Sequence, residues 1–300
     1  MAVMTSRRPP RNKPSSQSWA PTGPAPDTQP ASTRPPRRIS HAGGVFGRLH
    51  HELVGEPVDL SDLNPERYPE KLLHRAREAW QERVRTEFRS IQIMNRFVAE
   101  VVGAGDPIEV YSAAADMVLG EVRHTALCAA VCEALGVDPL LPEDPVLHDP
   151  DDFLAAPMPE RALSTAISMV AISETLSVAL VEDLRGRCDN PAIKRVLDRI
   201  CADEERHQDF GWSYVAQSLA RFPISTLGEW KLLVTATLAP HRRMADPTLV
   251  EIPPEERMLE AHPEPELAAV GLFSRRRQAL VFQQCWEAQL KPRLAQLGLL

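Results

Sequence analysis

Residues 202–207 read Ala202-Asp203-Glu204-Glu205-Arg206-His207, and residues 120–124 read Gly120-Glu121-Val122-Arg123-His124. Of the nine histidines, only His124 and His207 follow a glutamate three positions earlier. On a helix, residues three apart share a face about one turn from each other, so both side chains of each pair can reach one ion. The neighbours decide which way that face looks. Met117, Val118, Thr125 and Cys128 flank the first pair, and Leu197, Ile200, Cys201 and Gly211 flank the second. Both pairs therefore point into a core, where an unpaired carboxylate is costly and calls for a cation, a hydrogen-bond partner or a proton.

The helix before each pair supplies one further inward carboxylate. Glu87 stands among Trp80, Val84, Ile91 and Met94. Glu174 stands among Ile167, Val170, Ala171, Ser177, Val178 and Val181, in a stretch with no other charge from Ala162 to Leu180. The chain thus carries one unit twice, Glu87 with Glu121 and His124, then Glu174 with Glu204 and His207. Four glutamates and two histidines suit two ions bridged by carboxylates. Mixed imidazole and carboxylate ligands fit iron, with manganese as the alternative, better than a closed zinc site.

The helical pattern around these residues has clear limits. A long run over 65–102 stops at Gly103-Ala104-Gly105-Asp106-Pro107, and a second runs from about Pro107 to Leu135 before Gly136. The next stretch holds Pro139, Pro142, Pro145, Pro150 and Pro157 and is expected to be a non-helical crossover. Helices over 159–187 and 191–221 follow, each with a proline in its first turn. Two helical hairpins joined by one long crossover is the ferritin-like arrangement of four helices. The expected fold is all-α: a ferritin-like four-helix bundle over 65–222, with the long crossover between its second and third helices. A C-terminal helical extension over 223–300 should pack on it, with a helix over 225–239 and a last helical stretch over 266–297 interrupted near Pro292. Residues 1–42, rich in Pro, Ser, Thr and Arg, are expected to form a disordered tail.

The run Asp203-Glu204-Glu205-Arg206-His207 resembles the D-E-x-R-H motif of the di-iron carboxylate proteins of the ferritin-like superfamily, and Glu174 stands at the spacing that family uses. The likeness covers about residues 70–220. It implies that Glu87 and Glu174 are lone ligands, Glu121 and Glu204 bridging ones, and His124 and His207 terminal nitrogens of two iron ions. It also places Asp203 and Arg206, with Arg123 as the matching arginine of the first half, behind the ligands, where such groups fix a histidine tautomer. The first half departs from the motif, with Gly120 where the second half has Asp203.

Charge and cysteine usage narrow the setting. The net charge of −7 combines a tail of +6 over residues 1–42 with −13 for the rest, which argues against nucleic acid as the main partner. Five cysteines without a CxxC pair read as reduced thiols in a cytoplasmic protein. No stretch reads as a membrane span, and Arg7-Arg8 lacks the apolar region of an export signal.

Three functions are compatible with such a site. The leading one is an O2-dependent oxidase or oxygenase that draws on an electron donor and oxidises a small organic substrate. Ala171, Ser177, Thr125 and Gly211 would leave room for that substrate. The second is a ferroxidase for iron handling, and the third a metal-free interaction bundle. A homodimer is the candidate assembly. Within the resembling family, the chain lacks a four-cysteine rubredoxin-like module, has Cys128 where a ribonucleotide reductase small subunit places its radical tyrosine, and has Ile200 where arylamine N-oxygenases place a third histidine. Its C-terminal extension also exceeds the compact subunit of a storage cage.

Overall fold

The computed structural model describes residues 37–141, 147–245, 252 and 257–300, and the chain is mostly helical. A short helix α1 (Gly44–Val54) precedes the long helix α2 (Glu70–Ala104). Gly105 ends α2 in the left-handed conformation (φ 74°), its amide returning to the Val101 and Val102 carbonyls. The chain reverses through Asp106 and Pro107 into α3 (Ile108–Ala134), which packs along α2. Gly136 (φ 77°) closes α3 in the same way.

The crossover is less plain than its prolines suggest. Leu140–Leu141 (β2) pairs antiparallel with Arg37–Arg38 (β1), and Asp151–Ala155 forms a one-turn helix, α4. Two aspartates in the first turn after Pro150 favour that turn through the helix dipole. Arg37 and Arg38 of the expected tail thus pair with the crossover, and the Ile39 amide donates to the Pro139 carbonyl; residues 1–36 lie outside the described residues.

The next helix, α5 (Met158–Arg187), contains a π-helical stretch at Ala166–Ser173 where regular α-helix was expected. By length and composition α5 could cross a membrane, with a mean hydropathy of 1.6 over its most apolar window, contrary to the sequence expectation. That window is 67% buried inside the fold, so its apolarity serves the core. Asn190 caps α6 (Pro191–Leu219), accepting from the amides of Ala192 and Ile193. Helix α6 packs along α5, α3 against α6, and α2 against the first part of α5.

Beyond them come α7 (Leu227–Ala245), α8 (Glu264–Ala269) and α9 over 275–296, which includes a π-turn at Trp286–Leu290 before Pro292. The wider break in the last helical stretch falls earlier, at 270–274. This extension shares the core of the long helices: Leu233, Leu238, Leu290 and Leu294 pack in one apolar cluster with Phe97, Ile167 and Tyr214. A second cluster gathers Leu72, Trp80, Leu127, Ile193 and Leu267. On α2, α3 and α6, the residues singled out in the sequence fall between the segments that build these two clusters.

Candidate metal centre

Four helices bring all six sequence-derived candidates together. Glu87 comes from α2, Glu121 and His124 from α3, Glu174 from α5, and Glu204 and His207 from α6. They form two groups that share Glu121: Glu121, Glu174, Glu204 and His207 in one, Glu87, Glu121 and His124 in the other. Within each group the ligand atoms lie within 4.8 Å of one another. Five of the six are buried, His124 completely, and Glu87 is half-buried.

The histidines aim the same ring atom at the carboxylates. His124 Nδ1 lies 3.6 Å from Glu87, 3.8 Å from Glu121 and 3.5 Å from Glu204. His207 Nδ1 lies 3.5 Å from Glu121 and 3.6 Å from Glu204. The ring centroids are 5.9 Å apart. Both Nδ1 atoms and Glu204 Oε2 are buried without a hydrogen-bond partner. Such orphans are rare in a native core, and a cation placed among them would satisfy all three at once. The donor set therefore fits a metal ion.

Electrostatics describe the same crowding. Burial, and then repulsion by Glu204, raise the Glu174 carboxyl well above its ordinary range. Burial also raises Glu121, against the pull of His207. Glu204 moves the other way, lowered in spite of burial by a hydrogen bond from Glu174 and by both histidines. Burial opposes the charged form of His207, yet Glu121 and Glu204 hold it at about 9. Carboxyl groups that compete for protons in one buried site are relieved by a positive ion.

Behind this ring stands Asp203, buried and facing His124 Nε2 at 3.4 Å. Arg123 pairs with Asp203 Oδ2, and Arg206 donates to Oδ1 at 2.6 Å. Arg123 is in turn held by the Val54 and Leu53 carbonyls at the end of α1, at 2.6 and 3.3 Å. Ser177 donates to Glu204 at 3.2 Å. All three residues expected behind the ligands are thus joined, with both arginines on Asp203.

One expectation fails, at Gly211. The room assigned to Gly211 is filled, since a β-carbon there would lie 2.2 Å from the Val170 carbonyl oxygen, while the hydroxyls of Thr125 and Ser177 donate to the Glu121 carbonyl and Glu204. Tyr214 is a core residue that donates to Asp106 at 2.7 Å, and Trp80 donates to the Val270 carbonyl at 3.0 Å. All five cysteines are free and buried.

One neighbour escaped the sequence reading. Arg83 lies over Trp80 (4.4 Å to the ring), donates to the Gly271 carbonyl at 2.6 Å, and has its pKa lowered by burial, with Cys128 and Glu87 opposing the shift. Its only signal was its place one turn before Glu87. Arg83 and Glu87 line a groove of about 850 Å³ between α2 and the segment carrying Leu259, Leu272 and Phe273. Of the six candidate ligands, Glu87 alone lines it.

Comparison with known proteins adds no relative: no family model, curated protein or solved structure matches this chain.

Proposed function

We propose that the chain is a ferritin-like di-metal carboxylate protein whose two ions, iron by preference, serve an O2-dependent oxidation of a small organic substrate. The observation that carries this reading is the convergence of Glu87, Glu121, His124, Glu174, Glu204 and His207 in one buried cluster with orphaned ligand atoms. The order of the long helices and the crossover between α3 and α5 support the ferritin-like assignment. When bound, such an ion pair would supply two of the four electrons that dioxygen takes up, the organic molecule being oxidised would supply the other two, and an external donor would restore the pair.

The residues of the chain have distinct roles in that reading. Glu121 and Glu204 face both histidines and would be the carboxylates the two ions share, as the resemblance implies. Glu87 and Glu174 each complete one side. Asp203 orients His124, and Ser177 holds one oxygen of Glu204. The groove at Glu87 gives a substrate its approach, and its walls favour an organic molecule over a free cation. Arg75, Arg77, Arg83, Arg85 and Arg275 line it against Glu78, Glu82 and Glu87. A path for ferrous ions would be expected to carry the opposite excess.

The deciding experiment combines metal analysis with oxygen uptake after anaerobic loading with ferrous iron. Two irons per chain, oxygen consumption on exposure to air, and precipitation of further added iron are the expected results. A soluble mineral of hundreds of irons per assembled shell would establish the ferroxidase reading instead. Failure of the purified chain to bind any divalent metal would reject both.

A further inference from the structure

We infer that the two metal positions are unequal, and that the one served by His124 fills first and binds about 10–100-fold more tightly than the one served by His207. The inference rests on the reading of the cluster as a two-metal site. It concerns residues behind the ligands, where the two halves of the internal repeat diverge.

The ligand sets themselves do not favour His124. One group holds His207, Glu174, Glu121 and Glu204 and the other His124, Glu87 and Glu121, with Glu204 also 3.5 Å from His124 Nδ1, so a preference for the His124 position must come from behind the ligands. A histidine that ligates through Nδ1 must carry its proton on Nε2. The partner of that far nitrogen therefore sets how readily the ring adopts the binding tautomer, and how basic it is once there.

Behind His124 a carboxylate stands within reach. Asp203 Oδ2 stands 3.4 Å from Nε2, a separation that a small ring rotation closes into a hydrogen bond. Asp203 is itself fixed by Arg123 and Arg206, and Arg123 is anchored on the carbonyls of Leu53 and Val54. Three elements, α1, α3 and α6, thus combine to hold one carboxylate at one ring atom.

Behind His207 the corresponding residue is Gly120. A β-carbon there would lie 2.6 Å from His207 Nε2, so the ring edge rests against the α3 backbone and no side chain fits between. Among the described residues neither ring's Nε2 makes a hydrogen bond, but His124 Nε2 faces the Asp203 carboxylate at 3.4 Å whereas no carboxylate stands within 4 Å of His207 Nε2. When His207 ligates through Nδ1, its Nε2 proton is buried against that backbone without an acceptor. The competing tautomer, with the proton on Nδ1 facing Glu121 and Glu204, satisfies its donor and blocks the metal. Gly120 is required for the ring to fit, and it removes the support that Asp203 gives on the other side. Asp203 is therefore a positioning residue for one ion only.

The test is an anaerobic titration of the full metal-free chain with cobalt(II), followed by absorption and calorimetry. Two phases of one equivalent each, separated by 10–100-fold in affinity, are expected. Glu87→Ala should abolish the tight phase and Glu174→Ala the weak one, while Asp203→Asn should bring the tight phase down to the weak one and leave the latter in place. A spectrum of 15N-labelled histidines in the zinc-loaded wild-type chain answers the question without a variant: the His124 Nε2–H should show the downfield proton shift of a hydrogen bond to a carboxylate, and the His207 Nε2–H should not. A single two-equivalent phase, loss of the tight phase in Glu174→Ala alone, or the same Nε2–H shift at both metal-loaded rings would overturn the inference. No cobalt binding at all would instead reject the two-metal reading on which it stands.

Discussion

Gly211 on α6 approaches Val170 on α5 so closely that a β-carbon at position 211 would sit 2.2 Å from the Val170 carbonyl oxygen and 2.8 Å from the Ala171 amide nitrogen. Both of those atoms belong to the π-helical stretch Ala166–Ser173, which ends one residue before Glu174. The widened turn and the glycine belong together: α6 can lie against this backbone only where it has no side chain.

Gly211→Ala should therefore force α5 and α6 apart. The atoms in the way are backbone, which cannot rotate aside. A loss of about 1–3 kcal/mol of stability is expected, the usual range for overpacking a core, along with weaker retention of the second metal, because Glu174 and His207 lie on the separated helices. Thermal denaturation and metal analysis of the variant check this. An unchanged melting temperature would mean that the two helices are not in this contact.

Gly271 makes a second close approach of this kind, with φ +79° and a β-carbon position 2.6 Å from the Trp80 ring. The adjacent Val270 carbonyl accepts from Trp80 Nε1 at 3.0 Å, so this turn fastens the C-terminal extension to α2. Gly271→Ala should loosen that attachment, for strain in the left-handed region and for the clash alike. Limited proteolysis should then cut near 257–274 faster than in wild type, and equal cutting rates would show that the turn absorbs the added methyl group.

The six ligand candidates were legible because their placement follows from local geometry: three-residue spacing on a helix, apolar neighbours at one-turn intervals, and one charge in an otherwise uncharged run. What escaped depended on contacts between distant segments. Nothing in Ala166-Ile167-Ser168-Met169 marks a π-helix, since the extra residue per turn answers to the α6 backbone at Gly211. Arg83 reads as a solvated charge until Trp80 and the Gly271 carbonyl are brought to it. The role of Arg123 depends on α1, a helix whose exposed Val45, Phe46 and Leu49 gave no sign of where its last carbonyls would lie. Asp151-Asp152 after Pro150 was a readable helix start, obscured by the prolines on either side.

Asp183 links α5 to α9 by accepting from Arg187 and from Arg277, whose Nε stands 3.0 Å away. In spite of burial, the hydrogen bonds from these two arginines hold its carboxyl below the ordinary range. A carboxyl lowered in the native state contributes stability above its unfolded value and loses it as pH falls through the native one. Asp183→Asn should be less stable than wild type by about 1–3 kcal/mol at pH 6, and the difference should shrink below about pH 4. Urea denaturation at both pH values measures it, and a gap that stays constant or widens in acid would contradict the assignment.

Glu174 has the opposite sign. Burial first, and Glu204 second, raise its carboxyl well above the ordinary range, so the folded chain holds that proton more tightly than the unfolded one. As pH rises from the unfolded value, about 4.3, toward the native one, stability must fall. Glu174→Gln preserves the shape of the protonated side chain and has nothing to ionise. In the presence of a chelator the variant should exceed the metal-free wild type by about 1–3 kcal/mol at pH 7, the range for a buried polar group short of partners. That advantage should vanish below about pH 4. Cobalt(II) reverses the order: the variant has lost an anionic ligand and should bind one equivalent where wild type binds two, so saturating metal stabilises wild type more. A site kept for structure alone would show no such exchange, because a carboxylate destabilising in the metal-free chain would bring no gain with metal. Equal stability of the two metal-free proteins at pH 7 would mean that Glu174 ionises without penalty, and the case for a cation beside it would lose its electrostatic support.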